Sequence, residues 1–437
     1  MRPDACLAVP RTLRVIRTRG AGRRRTGDDH TMASDSNSAN DLTLYEYYQR
    51  HRFNPVYAGL TLPEELAAYE RRRREMFEFN LRMPAFAFDG RSVLEFGPAS
   101  GENSLVFALW GARLQLVEPV ETFLHTLNSY FTDHKLNHAI DAIANETFER
   151  FQIDRQFDFV IAEGFIFHVG SPEFWIPKLV SFASDDAYII ISHCETAGFI
   201  VEMIQAKSLQ ILAHRYRDSS SSLALELFQH KWGTVAHSRQ FDAWVADNLM
   251  NPKVTSAGLN YIGDLIDVMA MNGMALWSSW PSLQNHLDVS WIKKPICPQR
   301  ALQMAKKNAL GLIPSLLIGE EIAVAPCIYD EGETLLLAVR KELDALSISA
   351  ADSDNDHIDQ IRDCHRIVEK MLARFVTDFE NTRLSALWTE IDECLCALNT
   401  GDRSKVIELF NSCGVLANCW GSPNFYSVWH RLPPAGV

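Results

Sequence analysis

The chain is predicted to be α/β, a mostly parallel sheet with crossover helices, carrying a helical lid insertion and a mostly helical C-terminal extension. Three observations predict this. From Arg91 to about Lys294, short β-prone apolar runs alternate with helix-patterned stretches. After the fifth run, about 65 residues intervene before the next amphipathic helix, too many for a plain loop. From Pro295 onwards apolar residues recur at helical spacing, as in Cys364–Phe379 and Leu384–Leu398. The expected organisation is a basic tail over 1–40, an N-terminal helical lid over 41–90, the α/β domain over 91–294 with an insertion at about 195–258, and a helical C-terminal domain over 295–437.

The tail comes first. Residues 1–30 hold eight Arg and three Asp, a net of +5 within a chain of net charge −13. Their Arg richness fits a mitochondrial transit peptide in composition, but Gly20, Gly22 and Gly27 spoil a sustained amphipathic helix. A disordered basic extension is the expected reading, with Met32 as an alternative start. From Leu42 to Met83 the pattern is helical and aromatic, with Tyr45, Tyr47, Tyr48, Phe53 and Tyr57, and Arg71–Glu75 reads as a solvated helix face.

Strands are expected at Arg91–Phe96, Leu114–Val117, Ala139–Ala144, Phe157–Ala162 and Ala187–Ser192. The fifth is almost continuously apolar, as a strand covered on both faces must be. An amphipathic helix through Leu259, Ile262, Leu265, Ile266 and Met269 ends at Gly273. Met274–Trp280 and Leu287–Ile292 are expected to form a final strand pair around a polar turn. Trp420–Tyr426 reads as a turn and short strand, and the C-terminal region is a candidate homodimer surface.

Composition removes several function classes. Hydrophobic residues are 47% and charged residues 22%, enough apolar mass for a core without staples. An acidic body argues against broad nucleic-acid binding, which depends on Lys and Arg at phosphates. No apolar run approaches the roughly 20 residues that span a bilayer. The nine cysteines include no CxxC pair, which favours reduced thiols and a cytoplasmic location. No zinc-ligand spacing assembles, and no metal is expected.

The informative stretch is Val93-Leu94-Glu95-Phe96-Gly97-Pro98-Ala99-Ser100-Gly101-Glu102-Asn103. A buried strand ends in an acid, turns through two glycines and enters a helix. Glycine lets backbone approach a ligand closely, and the helix N-terminus offers free N–H groups. Glu118, seventeen residues after Gly101, closes the second strand and can accept from both hydroxyls of a ribose. A dinucleotide fingerprint would need Gly at 99 and 102, which are Ala99 and Glu102.

Together these residues resemble the first motif of class I S-adenosylmethionine-dependent methyltransferases, with Glu118 at that family's ribose acid. Glu146 resembles the acid facing adenine, and Glu163–Val169 the loop after the fourth strand. The resemblance covers about residues 80–293 and departs at Ala99, where a third glycine is common. It implies a Rossmann-like seven-stranded sheet with an antiparallel last strand and S-adenosylmethionine as cofactor. The implied cofactor contacts are Glu95, Gly97, Gly101, Asn103, Glu118, Glu146 and Glu163.

The implied reaction is in-line methyl transfer to an O or N acceptor on a small molecule. Bases should lie beyond strands four and five. Glu163, His168 and His193 lead there, with Glu195 beside them and His230 and His237 behind. Trp232, Trp244 and Trp280 could line the pocket or belong to the core. A catalytically inactive binding or scaffold protein with the same fold is the alternative.

Overall fold

The computed structural model describes residues 43–51, 59–234, 240–251, 261–284, 293, 297–324, 332–351 and 358–432. The basic tail, Phe53, Tyr57, His237 and Leu287–Ile292 lie outside the described residues.

Two helices open the chain, α1 (Leu44–His51) and α2 (Pro63–Glu75). Five parallel strands follow, β1 (Ser92–Phe96), β2 (Arg113–Val117), β3 (Ile140–Ala144), β4 (Phe157–Glu163) and β5 (Ala183–Cys194). Between them run α3 (Glu102–Leu109), α4 (Glu121–Asp133) and α5 (Pro172–Phe182). With β6 (Met274–Trp280) and β7 (Asn424–Arg431) they make one seven-stranded sheet, in the order β3-β2-β1-β4-β5-β7-β6. The Rossmann-like α/β sheet expected from the sequence is present, and the strand order reverses beside β1. That reversal opens a crevice at the carboxyl ends of β1 and β4, where ligands of such sheets bind.

The side-chain alternation of the strands builds two cores. Leu94, Phe96, Val160, Ala162, Ile189 and Ile191 join one face, while Val93, Phe159, Ile161 and Ile190 join the other. Both faces are dry, which explains the near-continuous apolar runs.

One expectation is corrected. The antiparallel strand next to β5 is not a hairpin partner following β6. It is β7, which pairs with β5 from Tyr188↔His430 to Cys194↔Asn424 and with β6 from Met274↔Arg431 to Trp280↔Tyr426. About 140 residues separate β6 from β7 along the chain. The strand is hard to read because Ser427 is buried beside Phe425, Val428 and Trp429, which blurs its period. The sheet is therefore completed from beyond residue 294.

The insertion after β5 begins with α6 (Thr196–Tyr216) and α7 (Ser220–Trp232). Helix α6 is apolar nearly all round and buried along most of its 21 residues, the mark of an interior helix rather than a lid. It packs with Ile313–Ile318, Gly332–Ala351 and Arg383–Thr400 into a helical layer that shares its core with the sheet. At Gly198 a Cβ would lie 2.0 Å from the Ser422 carbonyl oxygen, so only glycine lets α6 meet the segment leading into β7. The Glu195 N–H donates to the Pro423 carbonyl (2.8 Å) and the Ser422 N–H to Leu316 (2.8 Å) at the same place.

A chain truncated after residue 294 loses the strand between β5 and β6 together with most of the helical layer. We expect it to lose near-ultraviolet circular dichroism and cooperative thermal unfolding. A sharp transition like that of the full chain would show that the sheet closes without β7.

Candidate functional site

The turn after β1 is built around backbone that side chains rarely adopt. Gly97 has φ +64°, and a Cβ there would lie 2.7 Å from the Phe165 ring. Ala99 also has a positive φ, +47°, at a cost of about 1–2 kcal/mol for a residue with a Cβ. The cost is offset in part by its N–H, which donates to Glu118 Oε2 at 2.9 Å. The alanine that departs from the family pattern thus keeps the backbone path of a glycine. Gly101 caps α3 with φ +89°.

Glu118, at the end of β2, is held by two backbone donors, Ala99 N–H on Oε2 (2.9 Å) and Val120 N–H on Oε1 (2.8 Å). It is buried, and burial raises its pKa to about 7. Each oxygen keeps acceptor capacity, and the residue lines a cavity of about 720 Å³. That volume lies in the range of small-molecule sites and leaves room for more than one reactant.

Of the residues singled out from the sequence, Gly97, Asn103, Glu118, Glu163, His168 and His193 line this cavity. Glu95, Gly101 and Glu146 do not. Glu95 is turned toward α3, where Ser104 Oγ donates to it at 2.5 Å, and burial raises its pKa to about 8. Glu146 sits in an adjoining depression with Asn145, Arg150 and Gln152. Glu195 is also away from the cavity, accepting from the Ile262 N–H at 3.0 Å. His230 is exposed.

Glu163 is tied into a polar junction. Arg73 of α2 grips it with Nη1 on Oε2 (3.0 Å) and Nη2 on Oε1 (2.8 Å). Asn103 Nδ2 (3.1 Å) and the Tyr426 hydroxyl (3.3 Å) also donate to Oε2, and Asn103 in turn accepts from the Tyr69 hydroxyl (2.7 Å). Burial opposes the charge on Arg73, but Glu163 outweighs it and holds the guanidinium above its ordinary pKa. Arg73 is therefore no part of a solvated face. Leu66, Tyr69, Arg73 and Phe77 share one helical stripe, the signal that placed it inward.

His193 ends β5 with 1% exposure, its ring stacked on Phe425 at 5.3 Å. Neither ring nitrogen has a hydrogen-bond partner among the described residues. Burial lowers its pKa to about 4, so the imidazole is neutral near neutral pH. His168 closes a short 3₁₀ turn, Ile166–His168, on the same wall.

The roof comes from two segments far apart in sequence. Tyr45 and Tyr48 of α1 reach in from one side. Asp247 and Asn248 come from a π-helical turn, Val245–Leu249, which follows α8 (Phe241–Trp244). The Tyr47 hydroxyl donates to the Ala246 carbonyl (2.9 Å) and the Tyr48 hydroxyl to Asp247 Oδ1 (2.8 Å). The expected tryptophans do not line the cavity. Trp244 is core, Trp232 packs against it at 5.0 Å, and Trp280 is half exposed. Tyr45, Tyr48, Phe123, Phe148, Phe165 and Phe199 supply the aromatic walls instead.

Residues 69–248 match a family model described as a methyltransferase domain. The strand order, the glycine turn and the acid closing β2 agree with it. Over these residues the chain is similar to a methyltransferase domain. Among solved structures, PKMT2 from Rickettsia typhi in complex with AdoHcy is 14% identical, covering 57% of this chain and 50% of that one at TM-score 0.37. The CcbJ methyltransferase from Streptomyces caelestis is 18% identical over 26% of this chain and 52% of that one, at TM-score 0.24. The chain thus spans about half the length of these solved chains. No curated protein matches. Among the described residues no helix is long and apolar enough to cross a membrane.

The raised pKa of Glu95 has a consequence for stability. Its folded value is about 8 against 4.5 for the ordinary carboxyl. The folded state therefore keeps a proton that the unfolded state loses, so this contribution is full below pH ~4.5 and is lost as pH rises towards 8. Glu95→Gln, which cannot ionise, should gain on the parent by up to about 1.4 kcal/mol per pH unit across that window. Chemical denaturation of both proteins at pH 5, 6, 7 and 8 measures the gap. A gap independent of pH would mean that Glu95 ionises normally in the fold.

Proposed function

We propose that this protein transfers a methyl group from S-adenosylmethionine to an O or N atom of a small molecule. The observation that carries the reading is one cavity lined both by Glu118, placed to accept from a ribose, and by a neutral buried imidazole, His193. Bound S-adenosylmethionine supplies a sulfonium methyl group that a nucleophile displaces in line.

The roles we assign follow from what each side chain can do. Glu118 receives the ribose hydroxyls, its own position fixed by the Ala99 and Val120 N–H groups. The Gly97–Gly101 turn brings backbone against the cofactor with no Cβ in the way. Asn103 and Glu163 border the same cavity, and the Arg73 grip makes Glu163 a binding and positioning residue in place of a base. His193 faces the acceptor, where a neutral ring nitrogen can receive a hydrogen bond or proton. His168 stands on the same wall as a positioning residue. Tyr45 and Tyr48 close the roof and exclude water.

A small acceptor suits this geometry, because the walls leave a cavity and no extended basic groove. Arg150 is the only Lys or Arg among the described lining residues. A reducing, cytoplasmic setting is supported by the described cysteines, all of which are free.

Calorimetric titration with S-adenosylhomocysteine should give an affinity in the micromolar range, roughly that of ordinary enzyme ligands. Glu118→Ala should weaken it by about 10- to 100-fold, the loss of hydrogen bonds to a charged acceptor. His193→Ala should leave that affinity within about twofold while lowering turnover. Absence of binding by the parent chain, or full binding by Glu118→Ala, would defeat the reading.

A further inference from the structure

Between α2 and β1 the chain makes a π-helical turn, Met76–Asn80, and a 3₁₀ turn, Ala85–Phe88. Phe77, Leu81, Met83 and Phe88 point inward and join the core. Phe79 and Phe86 point outward, 67% and 79% exposed, and Arg82 between them in sequence is exposed as well. The Ala85 N–H donates to Glu78 Oε1 at 3.3 Å, which folds the segment back so that both outward rings start from one corner. Trp277 of β6, 44% exposed, meets that corner by donating its indole N–H to the Arg82 carbonyl at 3.4 Å. On its other side the Trp277 ring lies 6.3 Å from the His430 ring, and His430 lies 3.7 Å from exposed Asp186. Trp277 also packs edge-on against Tyr188, near the start of β5, whereas the cavity takes Ser192 and His193 from that strand's far end. An exposed cation, exposed aromatic rings and an exposed anion thus share one surface away from the cavity.

A single exposed phenylalanine needs no explanation, but two at this exposure beside a tryptophan make a patch that marks an interaction site. Aromatic side chains carry about 150–250 Å² each, so the exposed parts of these three offer on the order of 400 Å². A stable interface takes about 800 Å² from each partner, with aromatic residues at its centre and polar ones around them. The rings supply about half of that area, and the half that forms the centre. The charges beside them choose the partner. A rim of one sign would call for a partner of the other sign, but Arg82 and Asp186 stand on opposite sides of Trp277. We propose that this surface binds a second copy of the chain across a twofold axis at Trp277. Phe79 and Phe86 are buried there, and Arg82 of each copy faces Asp186 of the partner subunit. A twofold turns the patch onto itself, so a surface with both signs becomes its own complement. The proposal puts the homodimer surface on the segment before β1 and on β6, in place of the C-terminal helical region. It does not depend on the methyl-transfer reading.

Analytical ultracentrifugation of the full chain tests this. At about 10 μM the parent should sediment mainly as a dimer, as interfaces of this size allow. Phe79→Ser combined with Phe86→Ser should weaken self-association by about 100-fold or more, because aromatic residues at an interface centre carry most of its affinity. Near-ultraviolet circular dichroism of that variant should match the parent, since both rings lie outside the core. Phe174→Ser removes a half-exposed ring from α5, which packs on the other sheet core, and should leave the dimer intact. Arg82→Glu should weaken the dimer by about tenfold, and adding Asp186→Asn should recover about threefold or more, a coupling expected where the two residues meet across the axis. A parent that stays monomeric at that concentration overturns the proposal whatever the variants do. A dimer that survives loss of both phenylalanines, a dimer that Phe174→Ser abolishes, or an Arg82→Glu defect that Asp186→Asn does not relieve overturns the placement of the twofold.

Discussion

Arg73 and Glu163 meet in a two-bond ion pair of 3.0 and 2.8 Å, away from solvent, at the point where α2, α3, β4 and β7 converge. Taking each ion out of water costs several kcal/mol, and only near-ideal geometry with further hydrogen bonds recovers it. Here the recovery is spread over the molecule. Asn103 contributes from α3, Tyr426 from β7, and the Phe77 ring lies under the guanidinium at 4.9 Å. Losing one partner would strand the other charge in a dry site, a cost of about 3–5 kcal/mol. The pair consequently sets where α2 lies on α3 and where β7 lies beside β5. It does so at the rim of the cavity, so assembly of the fold and assembly of the site are one event.

The same dryness governs the other titratable groups. Glu95, Glu102 and Glu118 all have raised pKa values, because burial penalises the carboxylate form before any neighbour acts. His193 responds with the opposite sign, since its charged form is the cation. The result is a dry surround to the cavity, in which Glu95 is paired with Ser104 and Glu102 with Ser100 behind its wall, while Glu118 and His193 line it. A cofactor bearing its own charges enters a medium that screens little, and each aligned group there acts more strongly than it would in water.

Legibility in the sequence followed distance along the chain. Glu95 to Asn103 lie within nine residues of one another and Glu118 follows fifteen later, so the strand, turn, helix and ribose acid could be read as one local pattern. The helix and strand types around them were legible for the same reason. Strand β7 was read only as the short strand ending Trp420–Tyr426; its place in the sheet was not, because its partners lie some 140 to 240 residues earlier and its buried Ser427 interrupts the apolar alternation. Arg73 was misread for a different reason. Its neighbours Arg71, Arg72 and Arg74 make the run look uniformly solvated, and only the stripe from Leu66 to Phe77 reveals its direction. The roof was least legible of all, since the Tyr48 hydroxyl and Asp247 meet across 199 residues of sequence.

That roof is held in a different way from the floor. Helix α1 buries only Tyr47, so little apolar area holds it down. Its ties to the turn at 245–249 include the Tyr47 hydroxyl on a carbonyl and the Tyr48 hydroxyl on Asp247. A neutral hydrogen bond of this kind is worth about 1 kcal/mol net and one to a charged group about 2. The floor, by contrast, is a parallel sheet whose strands are buried on both faces. Local opening draws on the weakest ties first, so ligands should pass under α1 and not through the sheet or the helical layer.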